Sequence, residues 1–276
     1  MTVENQNTLI TDLHAHSREI ASFLPPEGIV YTPRELVEHA GSIGLGGIAH
    51  TPHDTLKGAE EALIAGRDFG VVVTPGVEVT SLHITGKHGV RIPHIIALFP
   101  ISVALDLESE DLKIPRAKKP KYVAEWVHDQ GGVAIVAHPK PKGDRVSLSF
   151  KQIAKFAHVF DGVEIETRCK PKQARKFRES AEELGLAVMG SSDAHDLEHV
   201  GVAVTEVSGL PDGFNSDNVI EAIRERRTQA LVLKEPSEKH MVEGPLASQI
   251  RRYRQVRTKK RHSLPEPVEQ EERLAA

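Results

Sequence analysis

The stretch Leu186-Ala187-Val188-Met189-Gly190-Ser191-Ser192-Asp193-Ala194-His195 runs from an apolar segment into a polar one. Residues 186–189 predict a short buried strand, so Asp193 and His195 follow the point where that strand ends. In parallel α/β folds, catalytic side chains collect at the carboxyl ends of the strands. An Asp-x-His pair also occurs in ordinary loops, so a site requires further ligands from the rest of the chain.

Strand and helix signals alternate along the preceding sequence and after it. Further strands are predicted at residues 9–13, 45–49, 71–73, 92–99, 133–137, 162–165 and 201–207. Helices are predicted at 33–43, 56–69, 120–130, 150–157, 171–184 and 217–227, with a loop and one short helix within 100–119. This alternation is typical of a parallel sheet with crossover helices. The short, regularly spaced strands favour a closed (β/α) barrel, and no glycine-rich phosphate fingerprint follows the first strand.

Composition is that of an ordinary globular protein. The chain has 276 residues, of which 39% are hydrophobic and 27% charged, with a net charge of -4. This charge argues against nucleic-acid binding by the whole surface but leaves room for a local basic patch. A single cysteine, Cys169, cannot form an internal disulfide, which predicts a cytoplasmic setting. The polar N-terminus and the absence of long apolar runs predict a soluble chain with no membrane partner.

The C-terminal segment differs from the rest of the chain. We predict one domain over residues 1–240 and a charged helix or tail, partly disordered, over 241–276. A basic block within 251–261 precedes an acidic block within 266–272. Such blocks are typical of a solvated helix or disordered tail, and the basic block is also compatible with a nucleic-acid or partner contact.

Histidine and carboxylate residues recur where the predicted strands end. The chain contains 15 histidines, and six of them share this placement with two carboxylates. They are His14 and His16 after the first strand, His53 after the second, Glu78 after the third, His94 within the fourth, His138 after the fifth, and Asp193 with His195 after the seventh. Because strand ends converge on one face of a barrel, residues far apart in sequence can surround one pocket.

These residue types predict a metal centre. Side chains alternate along an extended segment, so His14 and His16 point to the same side. Nitrogen and oxygen ligands together suit Zn²⁺, Mn²⁺ or Fe, and a carboxylate such as Glu78 or Asp193 can bridge two ions. Four other histidines do not share the pattern so cleanly and are interpreted as structural: His50, His83, His88 and His158.

Taken together, these motifs resemble the PHP family, the polymerase and histidinol phosphatase domains. The resemblance extends from about residue 9 to residue 205. It rests on Asp12-Leu13-His14-Ala15-His16-Ser17, Thr51-Pro52-His53-Asp54-Thr55, Gly76-Val77-Glu78-Val79-Thr80, His94, Ala137-His138-Pro139 and Ser192-Asp193-Ala194-His195-Asp196.

The resemblance implies a distorted (β/α)7 TIM-like barrel, the PHP fold, that holds two or three divalent metals and hydrolyses phosphate esters. Matched residue by residue, it implies the metal ligands His14, His16, His53, Glu78, His94, His138, Asp193 and His195, with Glu78 as a bridging carboxylate.

Two positions depart from the family pattern. The family usually has Thr-Asp-His where this chain has Thr51-Pro52-His53, so the histidine is retained and a neighbouring carboxylate is lost. The family also usually has an Asp, often followed by Gly, after His-x-His. Here Glu27-Gly28 is the best match, and Glu27 is therefore predicted as a metal ligand.

The expected chemistry is attack on phosphorus by a metal-activated hydroxide, because coordination lowers the pKa of a bound water molecule to about 7. We assign catalytic roles to His138, Asp193, His195 and Arg168. Arg168 also suits bidentate phosphate binding, and the basic residues after His138 are further phosphate-binding candidates: Lys140, Lys142 and Arg145.

The leading functional hypothesis is a metal-dependent phosphoesterase for a small phosphomonoester or short nucleotide. One alternative is an exonuclease on single-stranded nucleic acid, with the basic tail 251–261 guiding the strand. The other is a non-catalytic RNA-binding protein on a PHP-like barrel, of the RNase P subunit kind. Retention of nearly all the ligands argues against this last alternative.

Overall fold

The computed structural model describes residues 7–18, 29–84, 89–109, 114–140, 142–165 and 171–232. All of them belong to one compact unit, Met1–Pro236. Glu27, Arg168 and the charged tail at 241–276 lie outside the described residues, so their assignments stay predictions. None of the helices in these ranges has the length and apolar character needed to span a bilayer.

The described strands form one large sheet and one small hairpin. They are β1 (Asn7–Ala15), β2 (Gly47–His50), β3 (Val72–Thr80), β4 (His83–Ile84), β5 (Val90–Arg91), β6 (His94–Leu98), β7 (Val133–Val136), β8 (Gly162–Glu164), β9 (Ala187–Met189), β10 (Ala203–Leu210) and β11 (Thr228–Val232). The large sheet has the order β11-β10-β1-β2-β3-β6-β7-β8-β9, and β4 pairs with β5. Its terminal strands β9 and β11 lie side by side, so the sheet is a nearly closed barrel, as predicted.

Strand direction differs from the all-parallel prediction at two places. β6 is antiparallel to both β3 and β7, and β10 is antiparallel to both β1 and β11. The other neighbouring pairs of the large sheet are parallel. Because β6 runs in the opposite direction, its first residue, His94, lies at the edge where the parallel strands end.

The helices follow the predicted alternation, with shifted boundaries. They are α1 (Pro33–Ser42), α2 (Ala59–Phe69), α3 (Ile101–Ser109), α4 (Pro120–Asp129), α5 (Phe150–Ile153), α6 (Pro171–Glu183) and α7 (Ser216–Arg224). Thr32 and Glu35 form a capping box that starts α1. Helix α2 begins three residues later than predicted because Gly58 has a φ of 88°, a left-handed conformation that a helix cannot include.

The barrel interior is apolar below the site. Strand side chains alternate, so Ile135 belongs to an inner cluster while Ala134 and Val136 belong to the outer cluster beneath the helices. Helix α7 follows β10 and contributes Val219 and Ile223 to the inner cluster. Since β10 is antiparallel, α7 closes the end of the barrel opposite the carboxyl ends of the parallel strands.

Gly190 permits the close approach of strands that nearly closes the barrel. Its N–H and C=O both bond the hydroxyl of Thr205, at 3.2 and 2.8 Å. A Cβ at this position would lie 2.5 Å from the Val204 oxygen and 3.2 Å from the Ala230 Cα. Backbone atoms in a sheet cannot move aside cheaply, so residue 190 must remain small.

We expect Gly190→Ala to lower the free energy of unfolding by about 1–3 kcal/mol, the usual cost of overpacking. Urea unfolding measures this change. Gly41→Ala is the control, because its new Cβ would meet only the Val71 side chain closely, at 3.1 Å. Equal unfolding midpoints for both variants would contradict the packing argument.

Candidate metal centre

Eight of the nine predicted metal ligands are described, and they form one buried cluster at the carboxyl end of the barrel. His14 lies near the end of β1 and His16 just beyond it, while Glu78 lies near the end of β3. His53 forms an isolated bridge with Glu78. The others are contributed by the start of β6 and by the loops after β7 and β9: His94, His138, Asp193 and His195.

Glu78 lies at the middle of this cluster. Its Oε1 is 2.9 Å from His94 Nδ1 and 3.0 Å from His138 Nε2. Its Oε2 is 2.9 Å from His53 Nδ1, 3.4 Å from His14 Nε2 and 3.5 Å from His16 Nε2. Five imidazole rings therefore surround one carboxylate, and each oxygen faces a different set of rings.

The environment of Glu78 favours its ionised form. Burial alone would raise the pKa of Glu78, but the neighbouring rings of His94, His14 and His53 hold it well below its ordinary value. Within the described part of the chain, Oε2 has no hydrogen-bond partner despite its three nearby ring nitrogens. A buried carboxylate oxygen in this position fits a cation ligand, since a bound ion would satisfy its remaining lone pair.

A second concentration of donors surrounds Asp193. The Nε2 atoms of His14 and His16 lie 3.1 Å apart, and each is within 3.5 Å of Asp193 Oδ1. Burial, together with the nearby rings of His195 and His53, lowers the pKa of His16 to about 3 and keeps its ring neutral. A neutral ring is the form that binds metal.

His14 has the opposite shift. Burial opposes its protonation, but Glu78, Glu164 and Asp193 raise its pKa well above the ordinary value. These three carboxylates therefore favour a positive charge at this point, and a bound cation supplies that charge equally well.

The ligand atoms fall into three overlapping groups that could each hold a metal ion. Within each group the atoms lie within 4.8 Å of one another: His14, His16, Glu78 and Asp193; His53, Glu78 and His94; and His16, His53 and His195. Their nitrogen and oxygen atoms suit a divalent cation of the Zn²⁺, Mn²⁺ or Fe type. His138 lies outside these groups but contacts Glu78 directly.

The cluster is accessible from the side of His195. The His195 side chain is 21% exposed, whereas those of His14 and His16 are fully buried. The Nδ1 atom of His195 is 2.9 Å from the Asp193 carbonyl oxygen, which fixes the orientation of the ring. A substrate oxygen can therefore approach the cluster at His195.

Three non-glycine residues at the site have left-handed backbones: Asp54 (φ 54°), His138 (φ 29°) and Asp193 (φ 51°). Such conformations cost about 1–3 kcal/mol each and occur where surrounding structure enforces them. Each of these residues is a predicted metal ligand or the direct neighbour of one, so the strained turns are those that position the predicted ligands.

Proline at position 52 leaves the neighbouring histidine in place. The Pro52 carbonyl accepts the Glu78 N–H at 3.1 Å, and the Asp54 N–H donates to the Glu78 carbonyl at 3.0 Å. Arg116 also donates through Nε to the Asp54 carbonyl, at 3.1 Å. These bonds hold the turn against β3, so His53 reaches Glu78 without the family's usual carboxylate.

The three described phosphate-binding candidates are arranged differently from one another. The Lys140 ammonium pairs with Asp144 at 2.6 Å, while Lys142 and Arg145 are exposed. Residues 145 and 146 run beside the start of β6, because the Ile92 and His94 N–H groups donate to their carbonyls. Arg145 is therefore near the rim of the site, and the Lys140 charge is largely compensated.

Sequence reasoning assigned no role to two buried carboxylates near the cluster. Asp12 accepts backbone N–H groups from Ser192 at 3.0 Å and Gly201 at 2.9 Å, and burial raises its pKa to about 6. Glu164, the last residue of β8, contacts His14. The sequence signal that could have indicated Glu164 is a charged residue at the end of an otherwise apolar strand.

Comparisons with known sequences identify relatives of this chain. A family model described as PHP-associated matches residues 171–228. An uncharacterised protein from Methanocaldococcus jannaschii is 31% identical over 163 residues, which cover 56% of this chain and 79% of that protein. A 5′-3′ exoribonuclease from Haemophilus influenzae is 26% identical over 255 residues, covering 67% of this chain and 89% of the relative.

Solved structures with the same fold are more distant in sequence. A candidate metal-dependent phosphoesterase from Bifidobacterium adolescentis has a TM-score of 0.54 at 22% identity, covering 78% of this chain and 96% of its own. PsfC from Pseudomonas syringae has a TM-score of 0.57 at 16% identity, covering 91% and 99%. An amidohydrolase from Chromobacterium violaceum, with bound sulfate and no metal, has a TM-score of 0.54 at 19% identity, covering 80% and 97%.

These comparisons bear on the family and on the fold of this chain. The PHP-associated match includes Asp193 and His195, and the solved structures share the barrel. The strand-end ligands, the nearly closed barrel and the sequence match lead to one conclusion: the chain belongs to the PHP family.

Proposed function

We propose that this protein is a metal-dependent phosphoesterase that hydrolyses a small phosphomonoester or a short nucleotide. The observation that carries the proposal is the convergence of five imidazole rings on Glu78, whose Oε2 lacks a hydrogen-bond partner within the described residues. We further propose two or three divalent ions, Zn²⁺, Mn²⁺ or Fe, because the three ligand groups overlap.

Divalent ions, when bound, supply Lewis acidity and an activated water molecule. The protein's own residues hold and orient the reactants. Glu78 belongs to two of the three ligand groups and Asp193 to one of them, so the two carboxylates would fix the spacing of the centre. His195 lies at the accessible side of the cluster, whereas His138 is buried against Glu78, so His195 is the better placed of the two to contact a leaving oxygen.

Positive side chains would bind the phosphate group. Arg168 follows β8 and remains our first candidate, because a guanidinium pairs bidentately with phosphate oxygens. Arg145 is the next candidate, since its backbone lies beside the start of β6 and its side chain is exposed. Lys140 is a weaker candidate because Asp144 already pairs with it.

A nuclease is the second candidate function. It is favoured by the similarity to a 5′-3′ exoribonuclease and by the basic block within 251–261, which could guide a nucleic-acid strand. A non-catalytic RNA-binding role is disfavoured, because such a role does not require eight converging metal ligands.

A substrate panel separates these functions. Metal-reconstituted protein is incubated with a phosphomonoester, a phosphodiester and a single-stranded oligonucleotide, each with and without a chelator. We expect phosphomonoester or short-nucleotide hydrolysis that the chelator abolishes and added metal restores. Preferential degradation of the oligonucleotide would favour the exonuclease instead. Hydrolysis that persists after complete metal removal would refute both enzymatic functions.

Deleting residues 245–276 tests the tail separately. If the basic block guides nucleic acid, the truncated protein should bind a single-stranded oligonucleotide more weakly at low salt, while phosphomonoester hydrolysis stays unchanged. The measurement is oligonucleotide affinity over a range of salt concentrations, compared with the full chain. Equal affinity and equal salt dependence would show that the tail has no such role.

A further inference from the structure

Glu164 occupies a position between three strand ends. Its side chain is fully buried. Its Oε1 accepts a hydrogen bond from the Ser191 hydroxyl at 2.5 Å and lies 3.0 Å from His14 Nδ1. Its Oε2 accepts the His138 backbone N–H at 2.6 Å. One carboxylate thus joins the ends of β1, β7 and β9.

The contact with His14 determines which nitrogen faces the cluster. A carboxylate only accepts hydrogen bonds, so His14 Nδ1 must carry the proton that it donates to Glu164. In the neutral ring, which is the form that binds metal, Nε2 then presents its lone pair toward Glu78 and Asp193, at 3.4 and 3.5 Å. An imidazole that binds metal through one nitrogen commonly donates its other N–H to a carboxylate in this way.

The hydrogen bond from the His138 N–H to Glu164 holds a turn whose backbone is strained. His138 has a φ of 29°, which few residues other than glycine adopt. Its N–H is anchored by Glu164, and its ring reaches Glu78 Oε1 through Nε2 at 3.0 Å. Glu164 therefore holds the backbone from which a second ring approaches the centre.

We propose that Glu164 is a positioning residue of the metal centre, which fixes the His14 ring with Nε2 toward the ions and holds the turn at His138. This inference rests on the metal centre of the proposed function and is independent of the substrate.

Glu164→Gln provides a sharp test. His14 Nδ1 and the His138 N–H contact different oxygens of Glu164, and an amide replaces one of these oxygens by an NH₂ group, so glutamine cannot accept from both. If the amide oxygen keeps its hydrogen bond from the His138 N–H, the amide NH₂ group faces His14 Nδ1. It then donates to Nδ1 and favours the His14 tautomer whose Nε2 carries the proton. We expect zinc affinity to fall about 10- to 100-fold, the usual cost of losing such a partner.

Zinc affinity is measured by chelator competition on metal-stripped protein at neutral pH, with circular dichroism to confirm folding. Ser191→Ala is the matched control, because it removes a bond to the same carboxylate and leaves both oxygens free to accept from His14 and His138. We expect its affinity to stay within about threefold of wild type. A folded Glu164→Gln protein with wild-type affinity would overturn the proposal.

Nitrogen-15 NMR of the zinc-loaded wild-type protein tests the same point without a variant. We expect His14 to have a slowly exchanging proton on Nδ1 and a metal-shifted Nε2. Zinc on Nδ1, or a proton on Nε2, would overturn the proposal even if Glu164→Gln fails to fold. Both readouts are independent of turnover, so absence of phosphoesterase activity would refute the proposed function without affecting the role of Glu164.

Discussion

Glu78→Gln is expected to lower phosphoester hydrolysis about 10²–10³-fold, because metal charge stabilisation contributes several kcal/mol and each ~1.4 kcal/mol changes a rate tenfold. Glu78 contacts rings from four separate parts of the chain, and both its oxygens face ring nitrogens. Glutamine keeps the size but loses the charge and one acceptor atom. Turnover and bound metal, measured on the same protein samples, should fall together.

Glu206→Gln is the matched control for this prediction. Glu206 lies on β10, which pairs with β1 in the same barrel, and it is half-buried. It belongs to none of the three ligand groups. We expect this variant to retain wild-type turnover and metal content. Full activity in Glu78→Gln would exclude Glu78 as a ligand of the catalytic centre.

Asp193→Asn is expected to abolish hydrolysis with little change in folding stability. The carboxylate of Asp193 is within 3.3–3.7 Å of ring nitrogens on His14, His16 and His195, so its negative charge lies next to three predicted metal ligands. Asparagine tolerates the left-handed φ of 51° about as well as aspartate does. Turnover should therefore fall about 10²–10³-fold while the urea midpoint stays the same.

The control is Asp196→Asn, three residues further along the same loop. The Asp196 side chain is 58% exposed and contacts only His199, at 3.3 Å, among the ion pairs described. We expect it to retain wild-type activity. If Asp193→Asn kept its activity, the loop after β9 would lie outside the catalytic site; if it unfolded, Asp193 would have a structural role that the geometry does not indicate.

The sequence predicted the starts of those helices that begin at a capping residue or a proline. Thr32 caps α1 and Pro33 begins it, while Pro120 begins α4, so these helices start where expected. Strand β11 was missed because the turn before it uses Arg226 at a φ of 59° instead of a glycine or asparagine. The β4–β5 hairpin was missed because two-residue strands have no detectable periodicity.

The candidate site was predictable to the extent that its ligands follow strands. A sequence does not reveal strand direction, however, and His94 begins its strand instead of ending it. It reaches the cluster only because β6 runs antiparallel to β3 and β7. Glu164 was missed for a different reason: its partners lie near the end of β1 and in the loops after β7 and β9, so its role depends on tertiary contacts.

The most direct test of the account is a metal titration of stripped wild-type protein. Zn²⁺ or Mn²⁺ is added in small steps, and bound metal and phosphoester hydrolysis are measured on the same samples. We predict no hydrolysis by the stripped protein, and activity that rises with bound metal until the centre at Glu78 and Asp193 is filled. Hydrolysis by protein that contains no metal, or full metal binding without hydrolysis of any phosphoester, would contradict the account.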